Sequence, residues 1–132
     1  TNLTASNLSL GTPLYLAPEI AEDEDPSIYS DIFSYGMTVY FLMTGNSPNL
    51  SKSSIFKHFQ NLIKGDRPQF KHEIGESYRK LIVECWSQNP SSRIKFDEIV
   101  YKLKTDRGFI TPEIDEDEYF RYIKSIELNE NL

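Results

Sequence analysis

Cysteine is nearly absent from this chain. Cys85 stands alone among 132 residues, so no internal disulfide can form, and a reducing, intracellular compartment such as the cytoplasm is expected. Long apolar runs are also missing. The longest, Met37 to Met43, is interrupted by Thr38 and falls far short of the roughly 20 residues a membrane span needs. No signal peptide is visible either, and the net charge of −6 argues against an anionic membrane surface as the main partner. Basic excess is absent: a net charge of −6 argues against nucleic acid as the main partner, because phosphate backbones recruit cations. Strand signals hardly occur, and there is no internal repeat. The chain begins at Thr1 rather than Met, which points to a trimmed piece of something longer.

What is present is the making of a packed helical body. A chain that is 39% hydrophobic and 26% charged matches the average soluble globular protein and predicts one domain or part of one. Eight Phe and eight Tyr imply a large, well-filled interior. Residues 1–10 are rich in Ser, Thr and Asn, which compete with regular backbone structure, and read as a loop. Residues 11–18 read as extended, Glu19–Glu22 as a short helical turn, and the acidic run to Pro26 as a solvated corner. A helix is predicted over Ser30–Thr44, capped by Ser30 and stopped by Gly45. Its middle is apolar on nearly every face, as in a buried central helix. Further helices are expected over Ser53–Lys64, with Ile55, Phe59, Leu62 and Ile63 inward, and over Ser77–Ser87, with Leu81, Ile82, Cys85 and Trp86 inward. QNPSSR reads as a loop. Phe96–Lys104, marked by Phe96, Ile99, Val100 and Leu103, and Asp115–Glu127 complete an all-α fold. The tail from Glu113 carries seven acidic residues against Arg121 and Lys124, either as a solvated face with an acidic first turn or as a dock for a basic partner.

Three stretches together resemble the C-terminal lobe of a eukaryotic protein kinase. Gly11-Thr12-Pro13-Leu14-Tyr15-Leu16-Ala17-Pro18-Glu19 is similar to the end of the activation segment. Ser30-Asp31-Ile32-Phe33-Ser34-Tyr35-Gly36, followed by Tyr40 to Gly45, is similar to the central helix of that lobe. Gly65-Asp66-Arg67-Pro68, Cys85-Trp86, Asn89-Pro90 and Arg93 resemble the closing helices of tyrosine kinases and tyrosine-kinase-like enzymes. The resemblance runs from about Leu10 to Leu103 and rests on the order and spacing of the three stretches. It divides the chain into an activation-segment remnant at 1–10, a helical subdomain at 11–104 and an extension with an acidic helix at 105–132. Two departures, Phe33 where a Trp is usual and Ile94 where a Pro often follows the Arg, leave the fold expectation intact.

The resemblance implies roles for particular residues. Glu19 follows an apolar stretch, where an unpaired carboxylate would be expensive, and the family pairs it with the Arg found here as Arg93. Thr12, with Pro13, Leu14 and Tyr15, would position a Ser- or Thr-bearing protein substrate; Thr12 as a plain turn residue is the alternative. Asp31 would anchor a catalytic loop not contained in this chain, although a simple helix-terminal carboxylate explains it as well. Gly36 and Trp86 are core residues, Gly36 through a close packing contact. Thr4, Ser6 and Ser9 lie where activation-loop phosphorylation occurs, or are ordinary loop hydroxyls.

Phosphoryl transfer requires a Gly-rich phosphate loop, a strand Lys, a catalytic-loop Asp and an Asp-Phe-Gly metal site. None occurs in this sequence. No catalytic residue, metal ligand or cofactor is therefore expected in the chain itself, with ATP and Mg belonging to the parent kinase. Two functions from different classes follow. One is a substrate-facing part of a Ser/Thr protein kinase, inactive alone and inclined to self-associate without its N-terminal lobe. The other is a kinase-derived interaction module or pseudokinase.

Overall fold

The computed structural model describes residues 13–130, and among them no strand occurs. Six α-helices follow one another: α1 Pro18–Ala21, α2 Ile28–Thr44, α3 Ile55–Lys64, α4 Glu76–Cys85, α5 Phe96–Thr105 and α6 Glu116–Glu130. Single 3-10 turns lie at Pro13–Tyr15, Pro90–Ser92 and Arg107–Phe109. The fold is all-α, as the periodicity predicts.

Local chemistry sets the ends of the elements, and in places it differs from the expectation. Ser27 caps α2, not Ser30. The Ser27 hydroxyl accepts the Ser30 N–H at 3.3 Å, while the Ser30 hydroxyl accepts the Ser27 N–H at 2.7 Å. Ser30 is thus the third-position half of a capping box, so the helix starts two residues earlier. Gly45 ends it with φ +70°, its N–H donating to the Phe41 carbonyl at 2.8 Å. Ser54 caps α3, and Gly65, with φ +107°, stops it. Residues 13–15 form a 3-10 turn where an extended stretch is expected: Leu16 N–H closes it on the Pro13 carbonyl at 3.2 Å, Ala17 is extended, and Pro18 opens α1. Pro fits the first helical position, where its missing N–H would have no partner. The QNPSSR stretch likewise holds a 3-10 turn, capped by the Asn89 side chain.

Helix α2 is the axis of the body, but it is not covered on every side. Ile32, Phe33, Gly36, Met37 and Tyr40 are buried, whereas Leu42 is 70% exposed and Phe41 43%. One core cluster gathers Phe33, Met37 and Tyr40 with Phe59 and Leu62 of α3, Ile82, Trp86 and the α1 residues. A second joins Ile32, Leu81 and Cys85 to Ile94, Ile99 and Phe109. Helices α2 and α4 meet closely: a Cβ placed on Gly36 would lie 2.5 Å from the Cβ of Cys85, so only a residue without a side chain allows this approach. Of the apolar residues that mark α5, Ile99 is buried and Phe96 and Leu103 pack against the core, whereas Val100 is 43% exposed.

Beyond α5, Phe109 inserts into the second cluster, and the Tyr78 hydroxyl donates to its carbonyl. Helix α6 then lies against the body through few contacts. The Tyr119 hydroxyl reaches the Leu103 carbonyl, Lys104 pairs with Glu127 at 3.5 Å, and Arg107 pairs with Glu116 at 2.8 Å. No helix among the described residues is long and apolar enough to cross a membrane.

Candidate functional site: a guanidinium-braced corner

The turn Pro13–Tyr15 and helix α1 form one corner of the body. Tyr15 and Leu16 pack against the first core cluster, and the turn rests on both α2 and α3. Leu14 is half-buried beside them. Thr12, together with Gly11, Thr4, Ser6 and Ser9, lies outside the described residues.

Glu19, in the first turn of α1, points inward. Arg93, on the turn between α4 and α5, meets it with both guanidinium nitrogens. Nη1 lies 2.6 Å from Oε2 and Nη2 lies 2.8 Å from Oε1. The Arg93 side chain has no exposed surface and that of Glu19 only 11%. Two more bonds use further donors: Nη1 to the Tyr29 carbonyl at 2.9 Å and Nε to the Ser87 carbonyl at 2.9 Å. A buried ion pair offsets its desolvation only when the leftover donors are also satisfied. Here four of the five Arg93 N–H donors are engaged, and the contact joins two segments 74 residues apart in sequence.

Beneath this pair lies Phe33, the residue standing where a Trp is usual. The Arg93 guanidinium carbon sits 4.9 Å over its ring and that of Arg67 5.1 Å, both within cation–π range. Arg67 reaches the ring from the turn between α3 and α4. It donates to the Trp86, Leu62 and Asp66 carbonyls at 2.8, 3.1 and 2.8 Å and to Gln88 Oε1 at 2.7 Å. Burial, and secondarily the Arg93 charge, lower its pKa from 12.5 to about 10, so it stays protonated at neutral pH.

Trp86 is buried, its ring 5.9 Å from Tyr40 and 5.7 Å from Phe70. Asp31 is exposed in the first turn of α2, apart from the corner's polar contacts. The Cys85 thiol is buried, and burial with the nearby Glu84 carboxylate pushes its pKa up to about 12, which leaves it an unreactive thiol at neutral pH. No group of three or more His, Cys, Asp or Glu that could hold a metal occurs among the described residues.

The contacts of two polar residues are not given by pattern. Arg67 looks like part of a turn, although it stands between Asp66 and a buried Pro68. His58 occupies the apolar stripe of α3 with Ile55, Phe59 and Leu62, a spacing that places it in the core. It is fully buried, its Nδ1 accepts the Leu50 N–H at 3.0 Å, and its Nε2 has no protein partner. Burial lowers its pKa from 6.5 to about 4.

Comparison with known proteins agrees with the geometry. A family model described as protein tyrosine and serine/threonine kinase matches residues 3–103. A "probable serine/threonine-protein kinase" of Dictyostelium discoideum is 33% identical over 106 residues, or 80% of this chain and 8% of that protein. The dual specificity protein kinase shkC of the same organism is 33% identical over 94 residues, 70% of this chain and 19% of its own length. A "probable serine/threonine-protein kinase", PkwA of Thermomonospora curvata, is 33% identical over 104 residues, 79% of this chain and 14% of that protein. The chain thus spans less than a fifth of each of these three relatives.

Proposed function

The chain belongs to the protein tyrosine and serine/threonine kinase family, and from that premise we propose that it is the substrate-facing, C-terminal-lobe part of a Ser/Thr protein kinase of the tyrosine-kinase-like group. In this reading Pro13, Leu14 and Tyr15 form a shelf for the substrate segment after the phosphorylated Ser or Thr. Thr12 positions the accepting hydroxyl, and Asp31 anchors the catalytic loop. The supporting observation is the bidentate Arg93–Glu19 pair. It fixes the corner that ends in this shelf to the closing helices, as a substrate platform needs in order to keep its geometry.

The residues of this chain do not fit ATP or Mg. No Gly-rich phosphate loop or Asp-Phe-Gly occurs in the sequence, and the described residues offer no metal-ligand cluster. The nucleotide and metal are assigned to the complete enzyme, and the chain's own role is to bind and orient protein. The isolated chain has no transferase activity in this reading.

The test compares the full gene product, its Thr12→Ala and Thr12→Ser variants and the isolated chain in phosphoryl transfer to a mixed set of Ser-, Thr- and Tyr-containing peptides. Transfer to Ser and Thr is expected from the full product, with kcat/KM reduced about a hundredfold in Thr12→Ala and largely retained in Thr12→Ser. No transfer is expected from the isolated chain. Transfer by the chain alone, or a full product silent toward every peptide, overturns the proposal.

A further inference from the structure

Arg67 lies outside the Glu19–Arg93 pair, yet its contacts are as complete. We propose that Arg67 is a positioning residue that holds α3 beneath the Pro13–Tyr15 turn, and so governs how tightly the protein substrate is held rather than how fast it reacts.

Every hydrogen bond that Arg67 donates ends on an oxygen at the close of a helix or just past it. Leu62 lies in the last turn of α3, Asp66 follows just past its Gly65 cap, and Trp86 caps the end of α4. Gln88 extends the network, accepting from Arg67 at 2.7 Å and donating to the Ile63 carbonyl at 2.8 Å. The last carbonyls of a helix lack partners within it and carry partial negative charge. One guanidinium therefore binds the negative ends of two helices at once. Carbonyl dipoles alone would leave the two ends free to slide, but the ring of Phe33 gives the same guanidinium a contact on α2. Arg93 uses that ring too and takes the next carbonyl along, that of Ser87. The two arginines share one platform. Arg93 ties it to α1, and Arg67 ties it to α3.

Helix α3 has two neighbours that matter for a substrate: it packs on α1 and on the Pro13–Tyr15 turn. A shift of α3 therefore moves the floor of the shelf while leaving the α2–α4 contact at Gly36 in place. A lysine at 67 keeps the charge but loses the planar fork that reaches several acceptors together.

The test uses the full gene product with Arg67→Lys. The KM for a protein substrate is expected to rise about tenfold, with kcat and the KM for nucleotide changed less than about twofold. Amide exchange is expected to speed up about tenfold in 55–64 and 13–21 and to stay unchanged in 96–105. Gln88→Ala, which removes only the outer link, moves the same readouts in the same direction by less. Uniform loss of protection through all the helices, a fall in kcat without a change in KM, or no change in exchange at 55–64 overturns the proposal. Because the kinetic readout presupposes the kinase function proposed above, the exchange pattern stands as an independent measure. A silent wild type with fast exchange confined to 55–64 and 13–21 in the variant sinks the kinase reading and keeps the positioning role.

Discussion

The corner around Phe33 and the C-terminal helix α6 both use Arg–Glu pairs, yet the pairs differ in kind. Arg93 and Glu19 are nearly sealed from solvent and make further bonds to backbone carbonyls. Arg107 and Glu116 meet at a comparable 2.8 Å, but their side chains are 78% and 45% exposed. Distance alone would rank the two alike. Burial separates them, because water screens the outer pair and competes for both partners, while the inner pair has no substitute for either partner. One region is cross-linked through charge; the other is loosely set against the body.

Breaking the inner pair is the most severe test of this contrast. Arg93→Ala strands the Glu19 carboxylate in a buried site and is expected to lower unfolding free energy by about 3–5 kcal/mol. Chemical denaturation measures it, and a loss under about 1 kcal/mol would erase the difference between the regions. Acid probes the same body through His58. Its folded pKa of about 4 lies below the ordinary 6.5, so between those values the unfolded chain binds more protons. The stability is fully present above pH 6.5 and falls as pH drops through 4, by about 3 kcal/mol in all. Denaturation curves across that window in the wild type and in His58→Gln test this: the variant is expected to lose the slope contributed by His58. The smallest effect belongs to α6. Arg107→Ala is expected to change stability by less than about 1 kcal/mol, and the wild-type contribution is expected to vanish in 1 M salt. A shift above about 2 kcal/mol would show α6 to be as firmly bound as the corner.

The ease with which each region can be read from sequence follows the same contrast. Helices α2 to α6 announce themselves through apolar spacing, with stop glycines after α2 and α3, because those signals lie within a turn or two of the chain. Their starts shift by up to two residues where several serines compete to cap, as Ser27 and Ser30 do. Glu19 draws attention because a charge beside an apolar stretch calls for a partner, while Arg93 as that partner is implied only by the kinase resemblance; the structure sets them 2.6 Å apart. The remaining donors of Arg93 and the whole Arg67 network are invisible in the sequence, since their acceptors are backbone carbonyls that every residue possesses. The exposure of Phe41, Leu42 and Val100 is equally hidden: an apolar residue carries no mark of whether anything covers it.

The sequence by itself determined an all-helical chain, its kinase-like motifs and the need of Glu19 for a cation. Only the tertiary structure decided that two arginines share one phenylalanine, that Gly36 admits Cys85, and which apolar residues stay in water. Helix formation depends on neighbours a few residues apart, but these outcomes depend on which distant surfaces meet.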